Sequence, residues 1–147
     1  MPFFETKLRH ARFTLSPFTS EDMSDIGETV LHSITDRIRA VTDVNDAPAK
    51  PLSPRYAKWK AGGTNKNPGK APVRDWELRG KTLRSLHVKT ASESRCTLGP
   101  TDAQSAMIVS VQNQRSGQWG VSPHDAESMR EAVRAKLLHH RLVTVTD

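Results

Sequence analysis

The chain holds a single cysteine, Cys96, among 147 residues, which excludes an internal disulfide and any zinc site built from cysteines. Aromatic residues are scarce at 5%, and hydrophobic residues reach only 35%, both lean for a self-sufficient globule. Part of the buried surface is therefore expected to come from other subunits, although a long polar loop would dilute the composition in the same way. No apolar run is long enough to cross a bilayer. Phe3 and Phe4 are followed at once by Glu5, Lys7, Arg9 and Arg12, so the N-terminus lacks the apolar stretch of a signal peptide, and assembly in a cytoplasm is expected. The length fits one domain, 1–147, and mean hydropathy is −0.59.

Enzymatic signatures are missing as well. The chain contains no GxSxG, HExxH, GxxxxGK[ST] or GxGxxG. His139 and His140 are adjacent, so on a helix they point about 100° apart and do not share a metal as an i, i+4 pair does. His10, His32, His87 and His124 are dispersed, with no carboxylates at ligand spacing. Cys96 falls on an alternating strand-like stretch, where a small buried apolar group is a better reading than a nucleophile. The expectation is a non-enzyme without cofactor or metal.

What is present in excess is positive charge, and it is concentrated. Lys50, Arg55, Lys58, Lys60, Lys66, Lys70, Arg74, Arg79, Lys81, Arg84 and Lys89 face only Asp75 and Glu77 between positions 50 and 90. That stretch is +9 in a chain whose total is +6, which leaves −3 for the remainder. Such a block marks a surface that meets a polyanion or an acidic neighbour, or else a solvated basic loop. Two of the three tryptophans, Trp59 and Trp76, lie in it with Tyr56. Aromatic residues interleaved with basic ones suit a base-stacking groove, while the three-residue spacing of Tyr56 and Trp59 equally suits core contacts of a short helix.

Local signals place the elements. Residues 1–18 read as an N-terminal arm with a short strand at Arg12 to Leu15. Thr19 as N-cap, Asp22 closing a capping box, and Phe18 with Met23 as a hydrophobic staple open a helix. Its apolar stripe Met23, Ile26, Val30, Ile34, Ile38, Val41 predicts a helix over roughly 20–41. Ser53-Pro54 opens a short second helix that Gly62-Gly63 stops. Residues 62–75 then form an extended loop without apolar periodicity, of a length that usually serves a partner. Leu83 to Leu86 reads as a helical turn feeding a strand, Leu86 to Ala91, which pairs with Arg95 to Leu98 in a hairpin carrying Cys96 and Leu98 on one face.

Thr101 to Asn113 is ambiguous. Ala103, Ala106, Met107 and Ser110 fit a helix capped by Thr101 or Asp102, but the composition of Met107 to Val111 tips the reading to a strand over 106–112. Ser122-Pro123 with Asp125 opens the last helix, whose expected buried stripe is Ala126, Met129, Val133 and Leu137. The fold class that follows is α+β: a small antiparallel sheet packed by two long amphipathic helices, with a long basic loop.

The order of these motifs resembles the phage virion morphogenesis, or tail completion, family. The resemblance spans roughly residues 20–140 and rests on short motifs in sequence: Leu52, Ser53, Tyr56 and Lys58; then Leu78, Gly80, Leu83 and Ser85; then Gly120, Val121, Ser122 and Asp125 opening the last helix. Two positions depart from the family pattern: Arg79 stands where a threonine is usual, and the histidine-glutamine-x-glycine element is reduced to Val111-Gln112-Asn113 with Gly117 displaced.

The resemblance implies a structural virion protein of the head-tail connector or neck, of tail completion or tail terminator type, without a catalytic site. It implies partners as well: further copies in a ring of about six or twelve, portal or adaptor and tail proteins, and DNA passing through the lumen, with no membrane. Localisation would be the virion, after assembly in a host cytoplasm. Candidates for a subunit interface or a DNA-channel lining are Tyr56, Lys58, Trp59, Lys60, Lys66, Lys70, Arg74, Trp76 and Arg79. The alternative reading is a small basic DNA-binding module.

Overall fold

The structure, a computed structural model, describes residues 18–63, 69–76 and 81–144. The expected N-terminal arm and its strand lie outside the described residues, as do Lys66 and Arg79.

Helix α1 (Ser20–Arg39) is the central element. Its capping box is complete: Asp22 N–H donates to Thr19 Oγ1 at 3.1 Å and Thr19 N–H donates to Asp22 Oδ2 at 2.9 Å. Glu21 and Asp22 at the start and Arg37 and Arg39 at the end suit the helix dipole. The apolar stripe faces inward, with Ile26, Val30, Leu31, Ile34 and Ile38 all buried. Each such side chain contributes about 1.5–3 kcal/mol by leaving water. The helix ends at Ala40, and Val41 takes a left-handed φ of 60° that turns the chain into the loop bridged by Thr42 and Pro48.

Helix α2 (Pro54–Ala61) starts at its serine cap, and α3 (Lys81–Arg84) is a single turn. Strands β1 (Leu86–Ala91) and β2 (Cys96–Pro100) form an antiparallel hairpin. The second strand begins one residue later than the sequence suggests and runs on through Gly99 to Pro100, whose partner is Leu86. A register irregularity at Lys89 keeps Val88, Leu98 and Cys96 on the face that meets α1. There Gly27 allows close approach: a methyl group in its place would lie 2.3 Å from Cys96 Sγ.

The strand expected over 106–112 is a helix instead, α4 (Ala103–Ser116). Asp102 caps it by accepting from Ser105 N–H at 2.8 Å, and Gly117 ends it in the left-handed conformation. The β-like composition misleads because the buried face, Ser105, Val109 and Ser116, is mostly polar, while Met107 and Val111 point outward. Caps at both ends and Val109 in the core outweigh the weak strand preference of the sequence between them.

The core joins Val30, Leu31, Ile34 and Ile38 of α1 to Leu83, Leu86 and Val109, with Trp76, Leu98 and Trp119 packed against it. The last helix, α5 (Pro123–Thr144), lies along α1, which in turn packs on the hairpin. The architecture is α+β. The seam between α1 and α5 is polar. Asp125, fully buried, accepts from Arg37 Nε at 2.8 Å, Ser33 Oγ at 2.6 Å and Ser122 N–H at 2.9 Å. Farther along, Lys136 pairs with Asp25 and Asp22, and His140 Nε2 lies 2.8 Å from Asp22 Oδ2. These bonds turn the helix so that its expected buried stripe is left half open: Ala126 and Val133 are half-buried, and Met129 and Leu137 are exposed.

Candidate interaction surface

Helix α2 is built from local chemistry and then left standing off the core. Ser53 Oγ accepts from Tyr56 N–H at 3.4 Å, and Pro54 occupies the first turn, where its missing N–H is no loss. Among the described residues, no other helix or strand packs extensively against it. Its one buried residue is Lys60, while Tyr56 is 38% and Trp59 44% exposed. The two rings stack on each other with centroids 5.4 Å apart. They are not core contacts. Lys58, also exposed, lies beside them.

What holds α2 in place is a set of polar clamps. Lys60 Nζ donates to Val73 O at 2.6 Å and to Asp75 Oδ1 at 2.5 Å, and Lys70 N–H returns a bond to Lys60 O at 2.9 Å. Arg74 is buried and spreads its guanidinium over three acceptors: Lys50 O at 2.8 Å, Gln112 Oε1 at 2.9 Å and Pro51 O at 3.2 Å. Burial draws the Arg74 pKa down, Arg115 adds to this and Tyr56 opposes it, yet arginine starts so far above neutrality that the charge remains. Gln118, fully buried, donates to Arg74 O at 2.8 Å and accepts from Trp76 Nε1 and Ser116 Oγ, both at 3.0 Å.

The nine candidates from the sequence thus separate. Tyr56, Lys58, Trp59 and Lys70 form an exposed surface. Lys60, Arg74 and Trp76 are drawn into the subunit's own clamps, and Lys66 and Arg79 lie outside the described residues. Part of the loop expected over 62–75 is therefore anchored to its own subunit from Lys70 onward. Gln118 was missed, and Gln112 entered only through the resemblance, because a neutral side chain without charge or periodicity carries no sequence signal for the bonds it makes.

A second surface also escaped the sequence reading. The outer side of α1 exposes Glu21, Asp25, Glu28 and Asp36. Asp25 is engaged by Lys136, and Asp36 by His32 at 3.3 Å and Arg39 at 3.9 Å; Glu21 and Glu28 have no salt-bridge partner among the described residues. The spacing of these acids places them on the face of α1 opposite its apolar stripe.

Catalytic chemistry finds little footing among the described residues. An open cleft of about 520 Å³ lies beside the polar seam, lined by His32, Ser33, Asp36, Asp46, His124 and Ser128, among others. Ser33 donates directly to Asp125, and no histidine stands between them. Burial alone would raise the Asp125 pKa, but Ser33, the Ser122 N–H and Arg37 hold it below the usual carboxylate range. A carboxylate so saturated is a poor base. Cys96 is kept as a thiol by burial and by the nearby Glu28 charge. No group of three or more His, Cys, Asp or Glu suited to a metal occurs among the described residues. No family model, no curated protein and no solved structure matches this chain.

Proposed function

We propose that the chain is a structural subunit of a phage head-tail connector or neck, of tail completion or tail terminator type, that assembles into a ring around the DNA channel. The observation that carries the reading is α2, a helix whose aromatic residues face outward and whose only buried side chain is a lysine. A helix of 8 residues is too short to be stable on its own. One that fully buries no apolar side chain among the described residues fits an element built for a neighbour. The resemblance supports the same reading, because several of its motif residues stand at joints of the fold. Ser53 caps α2, Leu83 and Ser85 are buried at the entry to the hairpin, and Ser122 with Asp125 seats α5 on α1.

The expected outcome in solution is a ring of about six or twelve copies, seen by sedimentation and by electron microscopy of the purified protein. In the virus that carries the gene, its deletion is expected to leave filled heads and tails unjoined. Joined, infectious particles without this protein would overturn the proposal. The exposed basic face of α2 also favours a second reading, a small DNA-binding module. Tight, sequence-selective binding to duplex DNA at physiological salt by a monomer would establish that reading instead.

A further inference from the structure

We infer that the α2 face bearing Arg55, Tyr56, Lys58 and Trp59 docks on the outer face of α1 in a second copy of this chain, against Glu21, Asp25 and Glu28. The inference rests on the ring reading and names the two surfaces that would build the contact. The run from Ala47 to Arg74 contains no acidic residue, and Lys50, Arg55, Lys58 and Lys70 remain on its surface after Lys60 and Arg74 are buried. The complementary charge lies on the same molecule, on the exposed side of α1. Within one chain the two helices make no extensive contact, and although Lys136 engages Asp25, Glu21 and Glu28 have no salt-bridge partner among the described residues.

The dimensions agree. Glu21 to Glu28 rises about 10 Å along α1 and the whole of α2 is about 12 Å long. The stacked Tyr56–Trp59 pair supplies the large aromatic centre that interfaces favour, with Arg55 and Lys58 as its charged rim. Because the surfaces differ, the contact is head-to-tail, which generates a ring when the rotation closes. A nucleic acid would use the α2 face alone and would be repelled by the α1 face.

Charge reversal on each surface tests the contact. Arg55→Glu with Lys58→Glu makes both surfaces acidic, and Glu21→Lys with Glu28→Lys makes both basic. Each variant alone is expected to associate at least about tenfold more weakly than the unaltered protein, with circular dichroism and thermal midpoint unchanged. An equimolar mixture of the two is expected to reassemble in alternation, and the chain carrying all four substitutions is expected to assemble with itself.

Assembly that survives both reversals, or a mixture and a fourfold variant that stay monomeric, overturns the inference. If only the α2 reversal matters, and it abolishes binding to duplex DNA, the face belongs to nucleic acid and the inference is again overturned. An unaltered protein that is monomeric at every concentration overturns the ring reading itself, a result distinct from these. Should the α2 reversal disturb the fold, Trp59→Ala takes its place, and assembly equal to the unaltered protein's then counts against the contact.

Discussion

Two single residues decide how tightly the elements close. Gly27 lies mid-helix, where glycine costs about 1 kcal/mol relative to alanine, so Gly27→Ala would stabilise an isolated α1. In the folded protein the added methyl meets Cys96 Sγ at 2.3 Å and Val88 Cγ2 at 3.1 Å. The expected outcome is a net loss of about 1–3 kcal/mol, as for other overpacked cores. Cys96→Ala in the same chain removes the first contact and should recover most of that loss, which a double-mutant cycle by urea unfolding measures. Arg37 is the second such residue: its guanidinium binds Asp125, Thr42 O and Gly120 O from a side chain that is 3% exposed. Arg37→Met strands the Asp125 carboxylate and is expected to cost about 3–5 kcal/mol. Arg37→Met with Asp125→Leu should cost less than Arg37→Met alone.

At the scale of elements, α1 carries the core on one side and the seam with α5 on the other. Ile34 is 2% exposed, and Ile34→Asp places a charge among Val30, Ile38 and Leu83. Loss of cooperative unfolding, or a stability lower by several kcal/mol, is the expected result. Leu138, 59% exposed on α5, should tolerate Leu138→Glu within about 0.5 kcal/mol. The seam itself responds to acid. Asp22 is held at about 2, first by the Thr19 N–H and then by His140. A folded value below the ordinary 3.8 means that the unfolded chain takes up the proton first as pH falls. The carboxylate therefore contributes stability above about pH 4 that is lost as pH falls through about 2. Asp125, also lowered, adds to the same loss. Urea midpoints measured from pH 6 down to pH 2 should fall less steeply in Asp22→Asn than in the unaltered protein.

For the whole molecule the decisive question is where the exposed charge goes. On a chain of net charge +6, a basic α2 face and an acidic α1 face stand exposed together, so salt screens self-association and DNA binding alike. The two differ in slope. Nonspecific duplex binding loses about 0.9 log units of affinity per log unit of salt for each phosphate neutralised. The α2 region offers Lys50, Arg55, Lys58 and Lys70 as exposed basic residues among those described, and only weak duplex binding by the isolated subunit is expected, confined to low salt. Fluorescence anisotropy with random-sequence duplex across a salt series measures it.

The sequence by itself determined the elements whose cause is local. Thr19 with Asp22, Ser53 with Pro54, and Ser122 with Pro123 and Asp125 each satisfy free N–H groups within three residues, so the starts of α1, α2 and α5 were legible without any tertiary information. The stripe of α1 and the hairpin followed from periodicity in the same way. What only the tertiary structure decided were the partners of polar groups far apart in the chain. Arg37 meets Asp125 across 88 residues, Trp76 meets Gln118 across 42, and Arg74 meets Gln112 across 38. Those bonds turn α5 away from its apolar stripe, bury Arg74, which looked like surface, and hold α4 as a helix with a polar inner face. A hydrophobic pattern reports which groups avoid water, whereas a buried charge is placed by the particular acceptor that compensates it, and that acceptor exists only once the chain has folded.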